Sequence, residues 1–193
     1  MEPKVEINRL LELIPTSARI LTPIISKPEQ KSVIAAEFPL PWSFTRPIYI
    51  NFDLWQKLSR SQRDLLLLRT VGWLLNIKWF QPSINHVLFI AGCGTTIVEI
   101  TQVEPIGITV ACGLLTVSIF RIWRNHNSQQ NAINADETAI KIAQQKGYTA
   151  TSAAEALLST IKTIAQIEGR TELTVEELIR IQNLQLIAGF ASI

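Results

Sequence analysis

Residues 79–120 hold no Lys or Arg and only two acids, Glu99 and Glu104. Charged residues make up 18% of the 193-residue chain, below the roughly 25% of ordinary soluble domains. The net charge is only +2, which excludes a nucleic-acid binder driven by bulk charge. Two His and two Cys are too few for a His-rich metal site or a disulfide framework. Cys93 and Cys112 read as small buried thiols. There is no phosphate loop, since Gly92, Gly94 and Gly107 stand singly in apolar runs. Ser59 and Ser61 have no His and Asp placed to activate them, so a serine hydrolase is unsupported. The start, MEPKVEINRLLELIP, lacks the long apolar core of a signal peptide. Apolar residues are plentiful at 47%, which excludes global disorder.

The cation-free stretch divides at residues 102–105. Its second half, residues 105–120, is uncharged and about 24 Å long as a helix, against a hydrocarbon core of roughly 30 Å. Arg121, Trp123 and Arg124 can extend it by snorkelling and interfacial anchoring. Residues 87–98 form the first half. The expectation is a two-helix transmembrane hairpin over residues 83–124, with a buried core hairpin as the alternative. Lys78 before it, and Arg121 with Arg124 after it, place the N and C termini in the cytoplasm. His86 and His126 flank it, and Trp79 and Trp123 stand at its bases as an aromatic belt would.

Elsewhere the pattern is mainly helical. Apolar residues at Ile7, Leu10, Leu11 and Ile14 predict a helix over 4–14, ended by Pro15. A short helical piece is expected over 17–25. Four prolines (Pro28, Pro39, Pro41 and Pro47) mark 26–47 as a connector. Ile48, Tyr49, Ile50, Asn51 and Phe52 predict one short strand. Ser59 and Gln62 form a capping box opening a helix over 60–76, which is apolar nearly all round and therefore central. Further helices are expected over 134–146, with Gly147 as its C-cap, over 151–168 from a Ser152–Glu155 box, and over 174–189 from a Thr174–Glu177 box. The domain reading is 1–47 helix and connector, 48–82 strand and buried helix, 83–124 hairpin, and 125–193 a helical part packing back on 48–82.

The phrases RPIYINFDLWQKLSRSQRDLLLLRTVGWL and NAINADETAIKIAQQKGYT, with the apolar hairpin between them, resemble the membrane zincin metalloproteases of the HtpX and CAAX-prenyl-protease type. The likeness covers residues 46–160. In that family a helix carries HExxH and a later one carries ExxAD. Two His at i and i+4 reach one zinc, and the intervening Glu is the general base. The matching positions here are Arg69, Thr70, Trp73 and Ala132, none of which can perform those roles. The resemblance implies a degenerate pseudo-zincin, with no metal, no cofactor and no catalytic residue. Asp136 survives from the second motif. A buried guanidinium needs a carboxylate partner, so Arg69 is expected to pair with Asp136.

The phrases KPEQKSVIAAEFPLPW and ELIRIQNLQLIAG, with the first phrase above, make the whole chain resemble a family of uncharacterised cyanobacterial membrane proteins. That resemblance implies a thylakoid or plasma membrane. The expected fold is mainly α: a helical cytoplasmic domain with one short strand or small β element, plus the transmembrane hairpin. The expected role is a non-catalytic, membrane-anchored scaffold or assembly factor. It would bind membrane lipid and membrane-associated proteins or complex subunits, and no nucleic acid, with residues 48–52 as a partner-binding strand edge. The alternatives are a structural subunit of a membrane complex and a hydrolase with non-standard ligands.

Overall fold

The computed structural model describes residues 2–38, 44–76 and 129–189. They belong to one compact unit, Met1–Ile77 with Gln129–Ile193. The second unit, Lys78–Ser128, lies outside the described residues. So do the expected hairpin and, with it, Cys93, Glu99, Cys112 and both His.

The leucine-rich helix α4, Arg60–Asn76, organises the described unit. Its start is the expected capping box: the Gln62 N–H donates to Ser59 Oγ at 3.4 Å and the Ser59 N–H to Gln62 Oε1 at 2.9 Å. Leucines and valine all round the helix give it two buried sides. Leu66, Leu67, Val71 and Leu74 face a core of Leu10, Ile14, Ile48, Ile50 and Trp55. Leu65 and Leu68 face a second core of Ala139, Ala143, Leu157, Ile161 and Leu184.

The first core is built by α1 (Pro3–Leu13), α2 (Thr16–Arg19), three short strands and α3 (Phe52–Trp55). The strands are β1 (Ile24–Ser26), β2 (Ile34–Ala36) and β3 (Ile48–Ile50), in the order β1-β3-β2. Ile24 lies beside Ile48 in parallel register, and Ile34 beside Ile50 in antiparallel register. Asn51 joins the sheet to α3. Its Oδ1 accepts from the N–H groups of Asp53 and Leu54, while its Nδ2 donates to the carbonyls of Pro28 and Gln30.

The second core is built by α5 (Gln129–Gln145), α6 (Ala150–Ile167) and α7 (Val175–Ile187). Small residues let them approach. A Cβ on Gly72 would stand 3.1 Å from the Ala135 carbonyl oxygen and 3.1 Å from Thr138 Cβ. Gly147 adopts φ +94° after α5, and the Tyr148 N–H returns to the Ala143 carbonyl at 3.1 Å, the left-handed helix end that glycine allows. At the start of α7, Thr174 and Glu177 make the full capping box, and Arg170 clamps Glu177 with two bonds of 2.9 and 2.8 Å.

Several expectations are corrected. Among the described residues no helix is long and apolar enough to cross a membrane. The most leucine-rich, α4, has 17 residues and carries Arg60, Arg63, Asp64 and Arg69. Among the described residues the fold class is therefore a mainly helical unit with a three-stranded sheet, and the expected transmembrane hairpin and integral-membrane localisation find no support there. The small β element is a sheet of three strands: besides the expected strand, β1 and β2 form within the stretches 17–25 and 26–47, where a short helix and a connector are expected. The strand at residues 48–50 is no edge: β1 and β2 occupy both its sides, so it cannot accept a partner's strand. The cap of α6 is Thr149, whose hydroxyl accepts from the Ser152 N–H at 3.1 Å, not Ser152. Helix α5 begins at Gln129, five residues before its expected start.

Two outcomes are expected. Gly72→Ala lowers the melting temperature by circular dichroism. Overpacking against α5 costs about 1–3 kcal/mol, more than the ~1 kcal/mol of helix propensity it adds. The second concerns acid. The Arg170 guanidinium chiefly, with Thr174 assisting against burial, holds the Glu177 carboxyl at about 2, below its ordinary 4.5. A depressed folded pKa gives stability that is complete above the unfolded value and lost as pH falls through the folded one. Glu177→Gln should therefore flatten the loss of stability between pH 4.5 and about 2, read by urea unfolding at stepped pH.

Candidate functional site

Asp136 is fully buried on α5, and a carboxylate without water must be held by cations or donors. Arg180 of α7 supplies a bidentate pair, Nε to Oδ2 at 2.7 Å and Nη2 to Oδ1 at 2.9 Å. Arg69 of α4 places its Nε 3.6 Å from Asp136 Oδ1 but makes no hydrogen bond through that nitrogen. Its Nη2 donates to Glu176 Oε1 at 3.3 Å. Burial first, and then the nearby Arg180 charge, push the Arg69 guanidinium down to about 10, with Asp136 and Glu176 pulling the other way. The cluster joins α4, α5 and α7. Both oxygens of Asp136 are committed to Arg180, which makes the pair a clamp between α5 and α7.

The zincin-like positions do not converge. Arg69 turns to Asp136 and Glu176. The Thr70 hydroxyl donates to the Leu66 carbonyl of its own helix at 2.9 Å. Trp73 meets Phe38 edge-on, ring centroids 6.3 Å apart. Ala132 is buried. A zincin helix needs its i and i+4 side chains aimed at one point, and here they serve different contacts. Among the described residues no group of three or more His, Cys, Asp and Glu could hold a metal ion. The arrangement therefore gives the expected pseudo-zincin architecture no support.

A second buried network went unread in the sequence. Glu6 Oε1 accepts from Arg9 Nη2 at 2.8 Å, Arg63 Nη1 at 2.9 Å and Trp55 Nε1 at 3.3 Å. Arg9 Nη1 reaches Asp64 Oδ1 at 2.6 Å, and the Tyr148 hydroxyl donates to Asp64 Oδ2 at 3.0 Å. The bond to Arg9 chiefly holds the Glu6 carboxyl below its usual range, against burial. Burial, then the charge of Asp64, raises the Tyr148 hydroxyl. The signals were present: Asp64 sits among leucines, and Glu6 and Arg9 are three apart on one helix face. Arg180 was missed too, although the 176, 180 and 184 spacing puts it on the face of buried Leu184.

Removing either cation distinguishes their roles. Arg180→Met should destabilise the chain by about 3–5 kcal/mol, because Asp136 loses both hydrogen bonds inside the core. Arg69→Met should cost less than about 1 kcal/mol, since it also relieves a desolvated charge. Urea unfolding of both variants checks the order.

Residues 8–148 match the family described as "Protein of unknown function (DUF3318)". Over 122 residues the chain is 28% identical to "Thylakoid membrane protein slr1949" of Synechocystis sp., covering 62% of this chain and 58% of that relative. The chain thus spans little more than half the relative's length. No solved structure matches. Nothing in these comparisons supports the zincin resemblance. Arg180 and Glu176 lie beyond the matched span, whereas Arg69 and Asp136 lie within it. With nearly three quarters of its length in that span, the chain belongs to the DUF3318 family, and the resemblance to an uncharacterised cyanobacterial family stands.

Proposed function

We propose that this chain is a non-catalytic protein-binding component, a scaffold or assembly factor for a complex at the thylakoid membrane. The membrane is suggested by the name of its Synechocystis relative. The buried carboxylates Glu6, Asp64 and Asp136 are each held by arginine, which commits them to the fold. The carrying observation is the outer face of α7. Val175, Leu178 and Leu186 are 66%, 50% and 67% exposed. With Gln182 they follow i, i+3, i+7 and i+11, one stripe opposite the face that buries Arg180 and Leu184. That is the pattern with which a helix enters an apolar groove of a partner protein. Glu172 and Glu176 border its start and favour a basic rim on the partner.

The test is capture of the tagged full chain from gently solubilised cyanobacterial thylakoid membranes. Co-purifying subunits are expected, and Leu178→Glu with Leu186→Glu should release them while leaving the unfolding transition in place; a fixed stoichiometry would mark a structural subunit rather than an assembly factor. Retention of the same subunits by that variant, or one zinc per purified chain together with peptide hydrolysis, would overturn the reading.

A further inference from the structure

We propose that the outer edge of β1 pairs with β1 of a second copy of this chain, in antiparallel register about a two-fold axis at Ile25. It is independent of the functional reading above. In the order β1-β3-β2 only one side of β1 is taken. The Ile48 N–H donates to the Pro23 carbonyl and the Lys27 N–H to the Ile50 carbonyl, each at 2.9 Å. Positions 23 and 27 therefore turn their backbone groups toward β3, and alternation turns 25 with them. Ile24 and Ser26 turn theirs the other way, and among the described residues those N–H and C=O groups have no partner. The opening is confined to these two positions. The Thr22 N–H is already bonded to the Ala18 carbonyl at 3.0 Å, and the Pro28 carbonyl accepts from Asn51 Nδ2 at 2.8 Å.

An unpaired edge is a template for another strand, and two features favour a copy of the same strand. The first is symmetry. Positions 24 and 26 stand on either side of Ile25, so a two-fold axis there sets Ile24 of each copy opposite Ser26 of the other, and each such pair exchanges both its hydrogen bonds. Ile25 then meets its own copy in the closer, non-hydrogen-bonded kind of pair. Its side chain is 42% exposed and lies in register with Tyr49 and Ala35 across the sheet. The axis continues that row of side chains into the second copy. The second feature is charge. Residues 20–26 carry none, so no like charges come face to face, which is the usual way an edge refuses a copy of itself. Lys27 comes opposite Pro23 of the second copy rather than another Lys27, and its Nζ stands 5.0 Å from the centre of the Tyr49 ring in its own chain. A strand of three residues offers few bonds, so the pairing is expected at high concentration.

The experiment uses the full chain with Cys93→Ser and Cys112→Ser. Ile25→Cys should give disulfide-linked dimers under mild oxidation, because Cα atoms about 4.5 Å apart in a non-hydrogen-bonded pair suit that bond. Ser26→Cys, also exposed but opposite Ile24 of the second copy, should not. Sedimentation velocity of the chain with Ile25 and Ser26 intact should show a dimer that grows with concentration. Ile25→Lys and Ser26→Pro should each weaken it roughly ten-fold. Ser26→Pro removes an N–H that β3 does not use, so the unfolding transition should stay in place. A monomer at every concentration, equal cross-linking at positions 25 and 26, or a dimer untouched by both variants overturns the proposal. Protection of the Ser26 amide from hydrogen exchange in a monomeric chain would assign the edge to another segment of this chain, and cross-linking of Ile25→Cys to a different protein alone would assign it to that protein; either result overturns the proposal as well.

Discussion

Helix α4 is apolar on two sides and yet carries Asp64 and Arg69 into the interior. Each charge must be neutralised by another element or it costs several kcal/mol. Asp64 draws in Arg9 from α1 and Tyr148 from the turn between α5 and α6. Arg69 faces Asp136 of α5 and Glu176 of α7. The N-terminal and C-terminal segments, far apart in sequence, are thereby fixed to one helix at two points. Leucine burial supplies the driving force, but it is non-directional. The ion networks add a geometric requirement that apolar contact alone would not impose.

The two cations near Asp136 are not equivalent. Arg180 matches the carboxylate fork with two short bonds, while Arg69 contributes a 3.6 Å contact from a nitrogen without a hydrogen bond. The carboxylate therefore belongs to α7 first. The expected Arg69–Asp136 pairing named the right carboxylate and a cation within reach, but not the cation that satisfies it. Sequence reasoning paired the two residues through a familiar layout of motifs, and that layout ends before α7. The spacing of Arg180 with Leu184 was available, but a lone arginine in an otherwise amphipathic helix reads equally well as solvated.

Legibility followed the length of the elements. Helix α4 was readable from six leucines and a capping box, and α7 from Thr174 and Glu177, because these signals are local. Strands β1 and β2 have three residues each, too few for an alternating pattern to stand out from the surrounding prolines. They exist because Ile48, Tyr49 and Ile50 offer backbone groups on both sides, a tertiary effect that no local window contains. The same blindness turned β3 into an apparent free edge. The cap of α6 slipped by three residues because Thr149 and Ser152 are both competent hydroxyls, and only the backbone conformation at Thr149 (φ −80°, ψ 156°) distinguishes them.

Arg46 shows how one residue can serve both the fold and the surface. Its backbone joins the entry of β3 to the end of α2, and its guanidinium accepts the duty of capping a carbonyl in the last turn of α4. A cation there also complements the negative end of the helix dipole. Burial lowers its pKa, yet an arginine stays charged under ordinary conditions. The chain on either side of it is consequently pinned. Phe44, two residues before Arg46, and Leu21, its backbone partner, are left outside the core by that pinning rather than by a lack of apolar character.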